Sequence, residues 1–435
     1  MKHCNHRVTL LAGGLSLSML FASCMKDDMP EKMGTTFSVE NVLMSRPLAQ
    51  SGTFKGMGTD PVPPVIFPGQ EISIRFSAGK GQALSFATMY GWSNDLFFAP
   101  ANPGIALFDE SGMPVEGDVS AQIRLWDNGT RVNQAPGMSV DHPGAVETAP
   151  VMEVSGTDMQ GNAYVPASQL MKGTLAYEGN SVFTFTIRNI SGGTANETPF
   201  SPGVWAVSNM LGGNLLSAAP IYESGQPTAN GLTMLAEAGD NSTLSAYLND
   251  QTKIFTPLSP VLIVVYSGME NPLYKLGEKD RGKGLADIAQ TGDATALEQS
   301  LMAYPGVKKV YVVKAAATTV LLPFLGDDAG GSIEQRIEYS EGDRITFATM
   351  FGYSNDWFYS FGDEGVSAAA SGDLSDKVKL LDNGTAVDQY PGAGNSQGAF
   401  GGMPQTPESK PIQVVGMETY PVPAVQDIIR VKLMQ

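Results

Sequence analysis

Short segments in which apolar and polar residues alternate make up much of the chain. Residues 183–187 read Phe, Thr, Phe, Thr, Ile, so that every second position is apolar. Residues 71–76 alternate in the same way, and a glycine-containing turn at 78–81 leads into the next apolar run. A period of two is typical of a half-buried strand. The pattern therefore predicts antiparallel sheets with one face turned towards a core.

Helical spacing is found in two related stretches. Residues 231–240 resemble residues 284–293, and each stretch ends in Gly-Asp. Leucines follow that Asp at four and eight residues, which places them on one face of a short helix. We expect Gly239 and Gly292 to end one helix, and Asp240 or Asn241 and Asp293 to cap the next. The leucines are Leu244, Leu248, Leu297 and Leu301.

Several segments occur twice in the same order, which predicts two copies of one domain. The longest is 81–98, which recurs as 342–359. The others are 125–130 with 380–385, 150–154 with 411–415, and 164–167 with 420–424. A separate Ser-Pro element at 200–207 recurs at 258–265, next to the two helical stretches.

These patterns predict an all-β protein with two tandem antiparallel β-sandwich domains and short helical inserts in the second. We place the boundary near 178–180, which gives domains of 36–178 and 181–435. The second would carry both Ser-Pro and helix inserts, over about 199–304. In the first, the insert would be reduced to 46–54.

Composition supports this fold class and narrows the function. The chain has 435 residues, 49 Gly and 28 Pro, which suits many short strands joined by loops. Its net charge is −17, which would repel a phosphate backbone and argues against a nucleic-acid partner. With two Cys and three His in the whole chain, a disulfide framework or a histidine-rich zinc site is not expected. His142, in a Pro/Gly-rich loop, is expected to be a solvated histidine.

The amino terminus predicts an export signal. Lys2 and Arg7 precede an apolar run over 8–22, a length typical of a secretory signal and short for a membrane span. The run ends in Ala-Ser before Cys24, as in a bacterial lipoprotein signal. We therefore expect residues 1–23 to be cleaved, Cys24 to be lipidated, and 24–35 to form a tether. Lys-Asp-Asp at 26–28 suggests the outer membrane with the protein facing the cell exterior; an unlipidated secreted protein or a periplasm-facing one are the alternatives.

The repeated motifs together resemble the bacterial branch of the spondin N-terminal domain family. The resemblance rests on the Ser-Pro strand, the Gly-Leu…Gly-Asp helix, the 81–98 segment and the Asp-Asn-Gly-Thr turn, and it covers nearly everything after residue 36. It implies a secreted β-sandwich that binds calcium in loops at one end and acts in adhesion, with no enzymatic activity. An acidic residue common in the family after the Gly-Thr of that turn is replaced here by Arg131 and Ala386.

Five aspartates are the candidate calcium ligands. Ca²⁺ takes six to eight oxygen ligands from carboxylates, amides and carbonyls. The same residues are also explained as ordinary turns, in which Gly129 or Gly384 adopts a positive φ. A calcium site is better supported in the second copy, because an extra acid is available there. In the first copy, Arg131 would place a positive charge beside the site. The candidates are Asp95 and Asp127 in the first copy, and Asp356, Asp382 and Asp388 in the second.

Three functions remain open from the sequence. The first is a surface-exposed module that binds a glycan or protein ligand, which the lack of catalytic chemistry favours. The second is a glycoside hydrolase that works with two carboxylates. The third is a structural subunit of a surface assembly. Aromatic residues flank the aspartates in both copies, and we expect them to fill the cores rather than to bind ligand directly.

Overall fold

The computed structural model describes residues 32–58, 64–403, 406–416 and 420–435. Strands in the first half of the chain are β1 (Met33–Asn41), β2 (Leu48–Phe54), β3 (Glu71–Ser77), β4 (Ala83–Tyr90), β5 (Leu96–Pro100), β6 (Ile105–Ala106), β7 (Gly117–Asp118), β8 (Ile123–Asp127), β9 (Met152–Val154), β10 (Gly156–Thr157), β11 (Ala163–Tyr164), β12 (Met171–Gly179), β13 (Val182–Asn189), β14 (Phe200–Ser208), β15 (Met210–Leu211) and β16 (Asn214–Leu215).

The second half continues with helices and strands in alternation. These are α1 (Leu232–Ala238), α2 (Ser242–Asp250), β17 (Val261–Tyr266), α3 (Leu285–Thr291), α4 (Thr295–Met302), β18 (Val307–Val313), β19 (Ser332–Tyr339), β20 (Arg344–Met350), β21 (Trp357–Phe361), β22 (Val366–Ser367), β23 (Gly372–Asp373), β24 (Val378–Asp382), β25 (Gln413–Val414) and β26 (Ile429–Met434). Short 3-10 helices lie at Ser120–Gln122, Ala167–Gln169, Ser375–Lys377, Gly398–Phe400 and Val425–Asp427.

One β-sandwich, called the first sandwich, consists of a sheet in the order β3-β13-β12-β7 packed on a larger sheet in the order β2-β14-β4-β5-β8-β9. Apolar side chains from both sheets meet in one core, including Phe86, Phe98, Phe183 and Phe185, all fully buried. The predicted alternation of 183–187 is confirmed, because its apolar positions face this core.

The second sandwich repeats the arrangement. A sheet in the order β19-β1-β26-β23 packs on one in the order β18-β17-β20-β21-β24-β25. Its core includes Phe37 from β1, Phe347 from β20 and Trp357 from β21. The all-β sandwich prediction is therefore confirmed.

A helical pair covers the outer face of each large sheet. In the first sandwich, α1 packs on β4 and α2 on β2 and β14, with Leu244 and Leu248 of α2 in the shared apolar cluster. In the second, α3 packs on β20 and α4 on β18, with Leu297 and Leu301 of α4 in the cluster. Strands β4 and β17 are buried on both faces as a result, which explains their almost unbroken apolar runs. Gly239 and Gly292 end the preceding helices in the left-handed conformation, as expected.

The predicted domain boundaries need correction. Strand β14, which the sequence assigned to the second domain, pairs with β2 and β4. Helices α1 and α2 pack on the same sheet, so that all three elements complete the first sandwich. Strand β1, assigned to the first domain, pairs with β19 and β26 of the second. Each sandwich therefore has one Ser-Pro and helix insert, and 48–54 is an edge strand rather than a reduced insert.

The expected boundary at 178–180 is a hairpin turn inside the first sandwich. Strands β12 and β13 are antiparallel neighbours, joined by Gly179, Asn180 and Ser181, all with positive φ. In effect, the first sandwich is inserted in the second between β1 and β17. A linear repeat pattern does not reveal which sandwich each of these strands belongs to, because residues 36–41 of β1 resemble residues 184–189 of β13 and alternation alone does not specify a partner strand.

Residues 1–31, including Cys24 and the predicted signal, lie outside the described residues. Within the described part of the chain, none of the helices has the length and apolar character needed to cross a membrane.

Candidate functional site

The three candidate aspartates of the second sandwich converge at one end of its large sheet. Asp356 lies in the turn just before β21, Asp382 is the last residue of β24, and Asp388 follows six residues later. Since β21 and β24 are antiparallel neighbours with Trp357 opposite Asp382, the two turns meet. One oxygen from each of the three carboxylates lies within 4.8 Å of the others.

Asp356 is fully buried, and only half of its carboxylate is satisfied. Its Oδ2 accepts hydrogen bonds from the backbone N–H of Thr385 at 2.6 Å, from that of Ala386 at 2.9 Å and from the Thr385 hydroxyl at 2.9 Å. Its Oδ1 is buried without a partner in the described structure. An unpaired buried carboxylate oxygen is costly, and a cation beside it would remove that cost.

Asp382 and Asp388 complete the cluster. The Oδ1 of Asp382 accepts from the N–H of Gly384 at 2.7 Å, in the turn where Gly384 has the expected positive φ. Its Oδ2 accepts from Nε2 of Gln413 at 3.1 Å. The Oδ1 of Asp388 is a second buried oxygen without a partner among the described residues. Two unpaired oxygens beside a third carboxylate suit a hard cation.

The electrostatics of the cluster agree with this geometry. Burial, with the charges of Asp382 and Asp356 added, raises the pKa of Asp388 to about 8. Burial and the charge of Asp382 raise the pKa of Asp356 to about 6, although three hydrogen bonds oppose the shift. Without a cation the cluster therefore holds protons near neutral pH, because adjacent buried carboxylates repel one another.

The first sandwich repeats this frame with two carboxylates instead of three. The Oδ2 of Asp95 accepts from the N–H groups of Thr130 and Arg131 at 2.9 and 2.8 Å, and its Oδ1 has no partner in the described structure. Asn133 stands at the place of Asp388, and its amide donates to Oδ2 of Asp127 at 2.6 Å. Burial and the charge of Asp127 raise the pKa of Asp95 to about 7, and burial also raises the pKa of Asp127.

Arg131 marks the difference between the copies. Its Nη2 lies 2.9 Å from Oε2 of Glu237 on α1, and both side chains are largely buried. The second sandwich has Ala386 and Gln290 at these places, and Gln290 donates to the Thr385 hydroxyl at 2.9 Å. The first sandwich thus keeps a permanent cation close to Asp95, whose charge interacts with it. A metal ligand role for Asp95 and Asp127 stays a prediction, with less support than that of the second cluster.

The aromatic residues that flank the aspartates lie mostly in the cores. Tyr90, Phe97, Phe98, Phe351, Tyr353, Trp357, Phe358 and Tyr359 are buried, and Trp92 is partly buried. The expectation that they fill the cores is confirmed. His142 is exposed, as expected for a loop histidine.

Two partners of the site were not anticipated from the sequence. Gln413 holds Asp382, and the signal for it is a polar residue where the first copy has Met152. Asn180, in the β12–β13 turn of the first sandwich, donates to the backbone carbonyl of Asp388 at 2.9 Å. No motif predicts this contact, since it joins the two sandwiches.

No protein-family model matches the chain, and no curated protein matches it. The relationship to the spondin N-terminal family therefore stays a prediction from the motifs.

Proposed function

We propose that the protein is a lipid-anchored outer-membrane protein that binds an extracellular glycan or protein, and that Ca²⁺ stabilises its second sandwich. The observation that carries the metal part is the pair of buried, unpaired oxygens on Asp356 and Asp388. Asp356, Asp382 and Asp388 would hold the ion, and backbone carbonyls or water would complete its coordination.

The burial of the cluster also supports binding over hydrolysis. A glycoside hydrolase needs two carboxyl groups roughly 5 to 9.5 Å apart, with the sugar between them. Here one oxygen from each of the three carboxylates lies within 4.8 Å of the others, and Asp356 and Asp382 are 0% and 5% exposed. A sugar ring has no room among them. A structural subunit is the remaining alternative.

Calcium binding is tested by titrating the metal-free protein with Ca²⁺ in a calorimeter, and by thermal melting with and without chelator. We expect one ion per chain and a higher melting temperature with Ca²⁺. Asp388→Asn should abolish both effects, whereas Asp376→Asn, an exposed aspartate of the same sandwich, should leave them intact. Identical melting with and without Ca²⁺ would refute the metal part alone.

The binding function is tested with arrays of polysaccharides and extracellular proteins, followed by a turnover assay on every ligand that binds. We expect binding without cleavage. Hydrolysis that is lost on substitution of an aspartate would overturn the proposal.

Lipidation and surface localisation are tested by metabolic labelling with a fatty acid and by protease treatment of intact cells. We expect label on the wild-type protein and none on Cys24→Ser, and degradation by external protease. A protein that carries no lipid, or one that is protected in intact cells, would contradict this part.

A further inference from the structure

A cleft of about 760 Å³ lies where the two sandwiches meet. One wall is built by β2, the centre of β14 and the segment after α2; the other is built by Tyr390 and residues 421–427. Its volume is in the range of small-molecule sites, which often lie between domains. It shares no lining residue with the acidic cluster.

Trp205 of β14 provides an aromatic surface in this cleft. Its indole ring covers Gly52 on the neighbouring strand β2, and a Cβ at Gly52 would come within 2.7 Å of Nε1. Phe76 supports the ring from the core, with centroids 5.8 Å apart. The indole remains partly exposed, and the cleft is where it is exposed. The equivalent residue of the second sandwich, Ile263, is fully buried and provides no such surface there.

Tyr390 provides a second ring from the opposite wall. Its hydroxyl donates to the carbonyl of Ala49 on β2 at 3.4 Å, which ties the ring to the first sandwich. Its ring packs edge-on against Tyr420, with centroids 5.5 Å apart. The ring is therefore held in place before any ligand arrives.

Three polar side chains that line the cleft are available to form hydrogen bonds with a ligand. Asn249 at the end of α2, Lys253 after it and Asp427 on the facing wall all line the cleft. Among the described residues, none of these three side chains forms a hydrogen bond or an ion pair with the protein. Together they offer donors and acceptors with no net charge, on a protein whose net charge is −17.

We propose that this cleft binds a neutral oligosaccharide, with a pyranose ring packed against the exposed part of the Trp205 indole. This rests on the binding function proposed above and names its ligand class and site. A pyranose presents apolar C–H faces and a rim of hydroxyl groups, and so requires flat apolar surfaces beside mixed donors and acceptors. A strongly anionic or cationic ligand would require an excess of one charge, which this cleft lacks.

The test titrates the full chain with cello-, manno-, malto- and chito-oligosaccharides, by calorimetry and by tryptophan fluorescence. We expect at least one series to bind and to change the fluorescence. Trp205→Leu and Asp427→Ala should each raise Kd roughly tenfold or more, as loss of a central anchor does. Asp427 is exposed, so its variant should fold even if Trp205→Leu does not.

Gln169→Ala is the matched control, because Gln169 ends the equivalent 3-10 helix of the first sandwich and is exposed outside the cleft. It should bind like the wild type. Binding that survives both Trp205→Leu and Asp427→Ala would overturn the site. Failure of all four series overturns the ligand class, and a proline-rich peptide that binds in their place assigns the cleft to protein. A protein ligand on the array would still leave the general binding function intact.

Discussion

Phe37, near the start of the described chain, packs against Phe347 in the core of the second sandwich, with ring centroids 5.6 Å apart. The whole first sandwich lies between these two residues in sequence. The contact exists because β1 is an inner strand of the small sheet, between β19 and β26. Both ends of the described chain therefore belong to the same sandwich.

Phe37→Ala should destabilise the second sandwich selectively. Truncation of a buried phenylalanine costs about 3–5 kcal/mol, since it leaves a cavity. Hydrogen exchange should become faster in β19 and β26, and stay unchanged in β3 and β12. Phe67→Ala, at a position 39% exposed, is the control and should have little effect. Faster hydrogen exchange confined to the first sandwich would contradict the assignment of β1 to the second sandwich.

A fragment of residues 46–253 should fold by itself, whereas 36–178 should not. The shorter fragment lacks β13 and β14, and so loses Phe183 and Phe185 from the core and leaves β12 and β4 each without one of their neighbouring strands. Circular dichroism and urea unfolding provide the comparison. Cooperative unfolding of 36–178 would instead support the domain boundary near 178–180 that the sequence predicted.

In metal-free buffer, the second sandwich should become less stable as the pH rises. The folded pKa of Asp388 is about 8 and that of Asp356 about 6, both above an unfolded value of about 3.9. Between these limits the folded state binds more protons, so the free energy of unfolding falls as pH increases through the folded pKa. Melting temperatures from about pH 5 to about pH 9 measure this trend. Asp388→Asn should flatten it, and an unchanged slope in that variant would argue against the assignment.

With Ca²⁺ present, the stability of the second sandwich should instead increase with pH. Binding requires ionised carboxylates, so affinity should increase with pH over the same interval. Calorimetric titrations at several pH values measure it, and an affinity independent of pH would mean that these carboxylates do not bind the ion.

The first sandwich should gain a calcium site by grafting residues of the second. Glu237→Gln alone leaves the Arg131 guanidinium without its partner and should destabilise the first sandwich. The pair Arg131→Ala with Glu237→Gln, which copies Ala386 and Gln290, should cost less. Adding Asn133→Asp, which copies Asp388, should raise the stoichiometry from one Ca²⁺ to two by calorimetry. A triple variant that stays at one ion would show that the frame needs more than these residues.

Asn180→Gly should loosen the loop of Asp388. The change removes the amide that donates to the Asp388 carbonyl at 2.9 Å, and glycine tolerates the positive φ of 50°. An exposed hydrogen bond contributes about 1 kcal/mol, so calcium affinity should fall by at most roughly fivefold. Faster exchange over 387–397 should accompany it. Asn214→Gly, at the first residue of β16, is the control.

Much of the local structure could be predicted from the sequence. Alternation located β13, the spacing of leucines located α2 and α4, and the Asp-Asn-Gly-Thr turns with glycine at positive φ were identified from their residues alone. These features depend on residues close together in the chain. Asp356 and Asp382 were also identified, because both turns occur twice, and Asp388 was identified as an acid that follows the second turn.

Partners distant in the chain were not predictable. Gln413 beside Asp382 and Asn180 beside Asp388 are ordinary polar residues, and only the packing of the two sandwiches brings Asn180 to its partner. The cleft at Trp205 was not predictable for the same reason, since its second wall belongs to the second sandwich.

The sequence by itself determined an all-β fold, its short helices and the duplication, because these follow from local periodicity and from repeated residues. The tertiary structure decided which sandwich each strand completes. Strands β1 and β13 carry similar patterns of apolar and polar residues, and a pattern of that kind does not specify a partner strand, so their hydrogen-bonded neighbours in the folded chain assign them.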